Sequence, residues 1–199
     1  MVYIPAGEFI MGQAEDPKTE GGRPISLEAY LIDRHEVTEG QYRNPNSPTR
    51  LPATHVTFHD ADEYCQRVNK RLPTEKEWEK AARGVKGGKW AWGAYLEHPN
   101  NGFSGFTPEE VDKRPEWVSP YGVYGMGHNV WEWVSDGYSY KNMPTEDESK
   151  FKVIRGGLTQ SHLTVQFTPT YFRNWMEPEA AYNFLGFRCA KDAEPSNHG

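Results

Sequence analysis

The chain has 199 residues, a formal net charge of −6 and 25% charged residues. A chain of this length suits one domain, predicted to span residues 1–199, and can bury about 70% of the surface that the unfolded chain exposes. The acidic balance without a Lys/Arg block argues against nucleic acid as a partner, and no apolar run approaches the roughly 20 residues of a membrane span.

Aromatic and turn-forming residues are frequent. Seven Trp and eleven Tyr indicate an aromatic-rich core, while fifteen Pro and nineteen Gly indicate many loops. The first five residues lack the basic and then apolar pattern of a signal peptide. The sequence does not identify the cellular compartment, and a chain trimmed from a secreted or periplasmic protein remains an alternative.

Three elements are predicted near the start of the chain. Residues 1–11 alternate loosely and predict a β-hairpin with its turn at residues 7–8. Residues 25–33 have apolar positions at a period of two and predict one strand. Thr38 and Gln41 have the spacing of a capping box and predict a brief helix before a Pro-rich loop.

Two longer helices follow. Asp60 and Glu63 have the capping spacing and predict a helix through residue 69 that begins at Asp60. Thr74 predicts the start of a second helix, which Gly84 ends. Residues 153–157 and 184–190 are the remaining predicted strands. These patterns alone predict an α+β domain with abundant loops.

Residues 122–133, GVYGMGHNVWEW, form a run of glycine and aromatic residues that is unlike an ordinary strand or helix. Together with residues 71–79, RLPTEKEWE, and residues 186–189, GFRC, this run resembles the formylglycine-generating enzyme family, also called the sulfatase-modifying factor family. The resemblance covers nearly the whole chain. It implies a modified C-type-lectin-like fold with two main helices, short strands and a large irregular loop content.

The resemblance also locates the family's catalytic centre. In the family, two cysteines before the closing Gly-Phe-Arg strand bind copper(I), activate oxygen and oxidise a substrate cysteine to formylglycine. Copper(I) prefers soft thiolate ligands. Residues 168–178, TPTYFRNWMEP, occupy that segment and contain no cysteine. We therefore expect no copper and assign no catalytic residue.

Cys65 and Cys189 are the only cysteines of the chain. From the residues alone, the two can be free, bridged or separately buried. The resemblance places both where the family often carries structural cysteines, and we favour that role over a two-thiolate metal site.

The resemblance further predicts structural calcium. The ligands would be the Glu132 carboxylate and the backbone oxygens of Gly127, His128 and Val130. Calcium prefers such a set of hard oxygens on an irregular loop. The alternative is that Glu132 is hydrogen-bonded to backbone, and His128 replaces the glycine usual in the family. A second family site at Asn101 is not predicted, because its partner region is short.

Two further groups of residues are candidates for a metal site and for an acid–base site. His55 and His59 would share one face of a strand, with Asp60 as a third metal ligand, but burial of the residues between them and capping by Asp60 are favoured. The acidic residues of positions 109–116 have no spacing that pairs two carboxylates, and a solvated surface is expected.

The segment that faces the family's active site is rich in side chains able to hold a ligand. The predicted ligand-binding residues are His162, Tyr171, Arg173, Asn174 and Trp175. Such a wall binds by stacking and hydrogen bonds. The alternative is that its aromatic residues complete the core.

Three functions remain open. The favoured one is a catalytically silent domain of this family that binds a protein or small-molecule ligand. The second is a variable protein of a diversity-generating retroelement, a ligand-displaying binder on the same fold. The third is an oxidoreductase of the same superfamily with a different metal centre.

Overall fold

A computed structural model of the chain describes residues 1–13, 22–44, 46–93, 107–139, 150–161 and 164–194. The helices within these ranges are α1 (Glu39–Arg43), α2 (Phe58–Arg67) and α3 (Glu75–Arg83). The strands are β1 (Val2–Ile4), β2 (Gly7–Met11), β3 (Arg23–Leu27), β4 (Tyr30–Ile32), β5 (Trp131–Gly137), β6 (Lys152–Gly156), β7 (Leu158–Ser161), β8 (Thr164–Phe167), β9 (Arg173–Met176), β10 (Leu185–Phe187) and β11 (Ala190–Asp192). None of the described helices combines the length and the apolar character needed to cross a bilayer.

The strands form small sheets around one central sheet. The central sheet has the order β10-β5-β6-β9, with β5 parallel to β10 and antiparallel to β6. A second sheet has the order β1-β4-β11, and the pairs β2-β3 and β7-β8 stand apart. This mixture of short strands with three helices is the predicted α+β class.

Two core clusters lie on the two faces of the central sheet. One contains Phe58 and Cys65 of α2 with Trp133 of β5, and the other contains Trp78 of α3 with Val134 of β5. The sheet is therefore buried on both faces, which positions α2 and α3 on opposite sides of it.

The capping predictions are confirmed for two of the three helices. Thr38 and Thr74 cap α1 and α3 with complete capping boxes, and Gly84 ends α3 in the left-handed region at φ 65°. For α2 the predicted start at Asp60 is wrong. Thr57 is the cap, and Asp60 occupies the third helical position, where its carboxylate accepts from the Thr57 backbone N–H.

The predicted opening hairpin is also wrong. β1 pairs with β4 and β2 pairs with β3, so consecutive strands enter different sheets. The single strand predicted over residues 25–33 is instead two strands, because β3 pairs with β2 and β4 pairs with β1. Ile4 of β1 belongs to the core cluster that contains Tyr30 and Ile32 of β4, and this burial draws β1 away from β2.

Residues 122–133 contain a strand that their composition does not indicate. Residues 122–130 are turns, but Trp131 begins β5, the strand between β10 and β6. Trp133 lies in one core cluster and Val134 in the other. A strand buried on both faces lacks the alternation of polar and apolar residues by which strands are recognised.

Candidate functional site

β9 lies at an edge of the central sheet and carries three of the predicted ligand-binding residues. Because successive side chains of a strand point to opposite faces, Arg173 and Trp175 share one face, and Asn174 shares the other with Met176. Met176 packs against the core cluster that contains α2 residues. Arg173 and Trp175 therefore face the α3 side of the sheet.

Arg173 belongs to a buried ion-pair network. Its Nε donates to Oε1 of Glu75 at 2.6 Å, and Nη1 of Arg155 donates to the same oxygen at 2.7 Å. Nη2 of Arg155 and Nη1 of Arg83 donate to the two carboxylate oxygens of Glu79, each at 2.7 Å. Arg173 is therefore held by the fold, and its removal would deprive a buried carboxylate of one partner.

Trp175 lies at the surface beside Tyr138 and Phe151, and we call these three residues the aromatic patch. Trp175 is 41% exposed, and its ring centroid lies 4.4 Å from that of Phe151 and 6.1 Å from that of Tyr138. The Arg173 guanidinium lies 5.2 Å from the Tyr138 ring centroid, and the Lys150 ammonium lies 5.4 Å from that of Phe151. An exposed indole among rings and cations can stack on a planar or apolar group and hold an acidic one beside it.

The other predicted wall residues have different surroundings. Tyr171 is only 8% exposed, and its ring lies 5.6 Å from the Arg83 guanidinium. Oδ1 of Asn174 accepts from the backbone N–H of Trp175 at 3.0 Å. His162 lies outside the described residues, as does Asn101.

Tyr138 and Phe151 were missed in the sequence. Neither belongs to a motif, and they lie far along the chain from Trp175, in the segments that flank β5 and β6. The pairing of β5 with β6 brings Tyr138 beside Phe151, and the pairing of β6 with β9 adds Trp175, so no local pattern could have identified them.

The predicted calcium-binding turn precedes β5. Gly127 has φ +97°, and a Cβ there would lie 2.7 Å from the Thr168 carbonyl oxygen, so glycine is required. His128 is buried, edge-on to the Trp117 ring at a centroid distance of 5.1 Å. Val130 is fully buried.

Glu132 is fully buried and meets side-chain donors instead of backbone. Its Oε2 accepts from Nε of Arg188 at 2.6 Å and from Nε1 of Trp78 at 2.9 Å. Its Oε1 accepts from Nη2 of Arg188 at 2.7 Å. The arrangement is a bidentate buried ion pair, a geometry that arginine and carboxylate favour.

The contacts of Glu132 differ from those of a calcium ligand. Both Glu132 oxygens already accept from N–H groups, and Arg188 occupies the position of a counter-cation. The carboxylate as arranged therefore fits an ion pair and does not fit a calcium ligand, because calcium would require Arg188 to withdraw. Calcium at Gly127, His128, Val130 and Glu132 stays a prediction.

A second buried carboxylate lies next to this pair and was missed in the sequence. Glu36 is 1% exposed, and its Oε1 accepts from Nδ2 of Asn129 at 3.0 Å. Its Oε2 lies 3.9 Å from Nη2 of Arg188, which therefore serves two carboxylates. Burial raises the pKa of Glu36 to about 7, against the opposing effect of Arg188. A lone glutamate before Val37 gives no pattern from which burial could be predicted.

The two cysteines are joined to each other. Cys65 of α2 and Cys189 after β10 form a disulfide across 124 residues of sequence. Of the arrangements left open by the sequence, bridging is therefore the one found. While this disulfide is intact, neither cysteine is available as a free thiolate.

The remaining candidate metal ligands do not converge. Nδ1 of His55 lies 3.3 Å from the Ala181 carbonyl oxygen, and Asp60 belongs to the α2 capping box. In the acidic segment, Glu109 pairs with Arg114. Across the described ranges, no group of three or more His, Cys, Asp or Glu side chains could hold a metal ion.

Comparison with known proteins places the chain in a family. The sequence model of the family described as "Sulfatase-modifying factor enzyme 1-like domain" matches residues 44–193. The chain therefore belongs to this family, the formylglycine-generating enzyme family of the sequence resemblance.

Two mouse relatives are similar to the chain in nearly equal degree. The mouse "Formylglycine-generating enzyme" is 31% identical over 98% of this chain and 76% of its own length. The mouse "Inactive C-alpha-formylglycine-generating enzyme 2" is 33% identical over 97% of this chain and 86% of its own length. Other curated relatives are much longer: the chain spans 54% of one from Bacillus subtilis and 38% of one from Chlamydia pneumoniae.

The fold is shared with a solved structure. "Treponema denticola variable protein 1" superposes with a TM-score of 0.77 at 22% identity, covering 97% of this chain and 95% of that one. The likeness shows the fold, and the predicted modified C-type-lectin-like fold is confirmed.

Proposed function

We propose that the chain is a binding domain of the formylglycine-generating enzyme family without the family's oxidase activity, and that its ligand contacts the aromatic patch. The observation that carries the proposal is the exposed Trp175, set between two rings on an edge strand. A large exposed apolar side chain within a patch of rings and cations is typical of a binding surface.

The disposition of the cysteines supports the loss of activity. The segment expected to supply the copper ligands has no cysteine, and the two cysteines of the whole chain are consumed by one disulfide. No thiolate is left for copper(I), which harder oxygen and nitrogen ligands hold less well.

The relatives are compatible with this proposal but do not decide it. One mouse relative is named an enzyme and the other is named inactive, and their identities to the chain differ by two percentage points, 31% against 33%. Similarity therefore does not distinguish a catalyst from an inactive member of the family, and the proposed loss of oxidase activity rests on the residues of the site.

A peptide with the sulfatase-type Cys-x-Pro-x-Arg sequence is the probe that tests the proposal. We expect the peptide to bind, by isothermal titration calorimetry, and to remain unmodified by mass spectrometry after incubation with copper(I) and oxygen beside an authentic enzyme. Formylglycine in the peptide would contradict the loss of activity, and absence of binding would contradict a substrate-like ligand.

Trp175→Ala locates the binding surface. We expect the variant to lose peptide binding while its melting temperature changes little, because the indole is exposed. Tyr182→Ala is the matched control, since Tyr182 is 47% exposed and stacks on Phe184, away from the patch. Equal losses in both variants would remove the aromatic patch from the proposal.

A variable protein is the second candidate. The likeness to the Treponema denticola variable protein favours it at the level of fold. A reverse transcriptase gene beside the source gene, with a near-copy of the segment that encodes the C-terminal strands, would support it over the first candidate. A source genome with neither would exclude it.

Structural calcium at the turn before β5 is a separate prediction, which requires Arg188 to withdraw from Glu132. If calcium binds there, a chelator lowers the melting temperature of the wild type and has no effect on Glu132→Gln. An unchanged wild-type melting temperature would remove calcium from the protein, leaving Glu132 as the partner of Arg188.

A further inference from the structure

A cavity of about 530 Å³ lies on the part of the molecule that follows β4. It is lined by residues 33–38, Gln41 of α1, residues 47–50, Tyr64 of α2 and Lys70. A volume of this size is within the range of small-molecule sites, about 300–1,000 Å³. None of these residues belongs to the aromatic patch, so the cavity is separate from the proposed function.

The acidic groups of the cavity wall are already engaged. Oδ1 of Asp33 pairs with Nζ of Lys70 at 2.6 Å, and Oδ2 of Asp33 accepts from the Cys189 backbone N–H at 3.2 Å. Glu36 is buried and directed to Asn129 and Arg188. The carboxylates of the wall are thus held by the protein and are poorly placed to attract a cation.

The two arginines of the wall, Arg34 and Arg50, are held less tightly by the protein than these carboxylates are. Among the described residues, the Arg34 guanidinium has no ion pair or hydrogen bond, and its residue is exposed. Arg50 pairs with Asp112 at 2.8 Å, but both side chains are about half exposed, at 46% and 40%. Exposed pairs of this kind contribute little net stability, so a better-placed anion can compete with Asp112.

The uncharged wall residues present hydrogen-bond donors. Oγ1 of Thr38 accepts from the Gln41 N–H and Oε1 of Gln41 accepts from the Thr38 N–H, at 3.2 and 2.9 Å. Oγ of Ser47 accepts from the Thr49 N–H at 3.3 Å. With their oxygens occupied, the two hydroxyls and the side-chain amide keep hydrogens to donate. The wall therefore suits a ligand rich in acceptors.

The pKa of His35, in the same wall, indicates that the electrostatic potential there is positive. Its pKa is lowered to about 4, by burial first and then by Arg188, Arg50 and, more weakly, Arg34, while Asp112 opposes them. The ring is therefore uncharged near neutral pH and lies where positive charge outweighs negative.

We propose that this cavity binds a small oxyanion with a carboxylate or phosphate group, with Arg34 and Arg50 as its charge partners and Gln41, Thr38 and Ser47 as hydrogen-bond donors. Guanidinium groups pair with carboxylate and phosphate through two parallel hydrogen bonds. The site is independent of peptide binding at the aromatic patch, so the failure of either proposal leaves the other standing.

Calorimetry with inorganic phosphate and with succinate tests the site at neutral pH and at an ionic strength held constant with chloride. We expect at least one of the two anions to bind the wild type, and the better of them to identify the group recognised. Arg34→Ala and Arg50→Ala should each weaken that binding about tenfold or more. Arg23→Ala, an exposed arginine of β3, is the matched control and should bind as the wild type does.

A second measurement needs no variant at the site. The pKa of His35, followed by NMR, should rise when sulfate is added, because an anion beside Arg34 and Arg50 offsets the charges that now lower it. Sulfate keeps its charge across this pH range. Absence of binding by both phosphate and succinate at tens of millimolar, an unchanged His35 pKa in sulfate, or equal binding by Arg34→Ala and the wild type would each overturn the proposal.

Discussion

At the scale of single residues, the Arg188 side chain connects features that lie far apart in the sequence. It binds both oxygens of Glu132 before β5 and lies 3.9 Å from Glu36 before α1. All three side chains are buried. A buried ion pair contributes little net stability over an apolar replacement, but loss of one member leaves the other charge uncompensated.

Glu132→Gln should therefore destabilise the protein strongly. The amide keeps one acceptor but turns an N–H₂ donor toward the Arg188 guanidinium, and we expect a loss of about 3–5 kcal/mol in the free energy of unfolding. Urea unfolding measures it. Glu39→Gln is the control, because Glu39 forms an exposed pair with Arg43 on α1 and its loss should cost about 0.3–0.5 kcal/mol. Equal effects in the two variants would contradict the buried ion pair.

His35 should make stability depend on pH. Its pKa is 6.5 in the unfolded chain and about 4 in the folded protein, chiefly because of burial. Between these values the unfolded state binds more protons, so stability is complete above pH 6.5 and is lost as pH falls toward about 4.

His35→Phe isolates this contribution, because it keeps a ring against Tyr124, now 4.7 Å away, and removes the proton. Relative to the variant, the wild type should lose on the order of 1 kcal/mol between about pH 7.5 and about pH 4.5, after allowance for solvent screening of a half-buried ring. Unfolding free energies at the two pH values measure it, and parallel curves for the two proteins would show that His35 does not titrate between them.

Sequence motifs drew attention to candidate residues, but they carried no information on the contacts that the fold makes. The sequence singled out Arg173 and Trp175, but it gave no sign that Arg173 would be held by Glu75 while Trp175 stayed exposed. Tyr138 became part of the aromatic patch only through strand pairing. The burial of Glu36 could not be predicted either, since its charge partner Arg188 lies near the other end of the sequence.

At the scale of elements, capping chemistry was the most reliable guide. The helix starts at Thr38 and Thr74 follow directly from side-chain oxygens that satisfy free backbone N–H groups. The predicted start of α2 is three residues too late because two pairs have the spacing of a capping box. Thr57 and Asp60 form the box that the structure contains, whereas the prediction rests on Asp60 and Glu63. Strands were harder, because β5 is buried on both faces and lacks alternation.

Thr57→Ala tests the observed start of α2. Removal of the hydroxyl leaves the Asp60 N–H without its acceptor, and we expect a loss of about 1 kcal/mol in the free energy of unfolding. Asp62→Ala, at a half-buried position of the same helix, removes only the hydrogen bond that Gln66 donates to Asp62 and should change stability by less than about 0.5 kcal/mol. A larger loss in Asp62→Ala than in Thr57→Ala would contradict the capping assignment.

At the scale of the whole molecule, the disulfide ties α2 to the last strands. In the chain-entropy account, closing a loop of about 100 residues stabilises the folded state by about 4.7 kcal/mol, and natural disulfides typically contribute about 2–5. The bridge here closes a loop of 124 residues. The sequence left bridging open, because spatial proximity of two cysteines cannot be derived from their separation.

A protein with Cys65→Ser and Cys189→Ser should accordingly unfold about 2–5 kcal/mol more easily than the wild type in non-reducing buffer. Addition of reductant should lower the stability of the wild type toward that of the double variant and leave the double variant unchanged. A wild type insensitive to complete reduction, verified by thiol counting, would show that the bridge adds no stability.

The pairing of β4 with both β1 and β11 has a consequence for how such a domain is carried. β1 and β11 flank β4 and run parallel to each other, with Val2 and Ala190 both opposite Ile32 and with Ile4 and Asp192 both opposite Tyr30. The start of β1 and the end of β11 therefore lie roughly 12 Å apart. The chain enters and leaves this sheet through neighbouring strands, at opposite ends of them. Domains whose ends lie close together tolerate insertion into a host chain and circular permutation, so this fold is suited to insertion as a module.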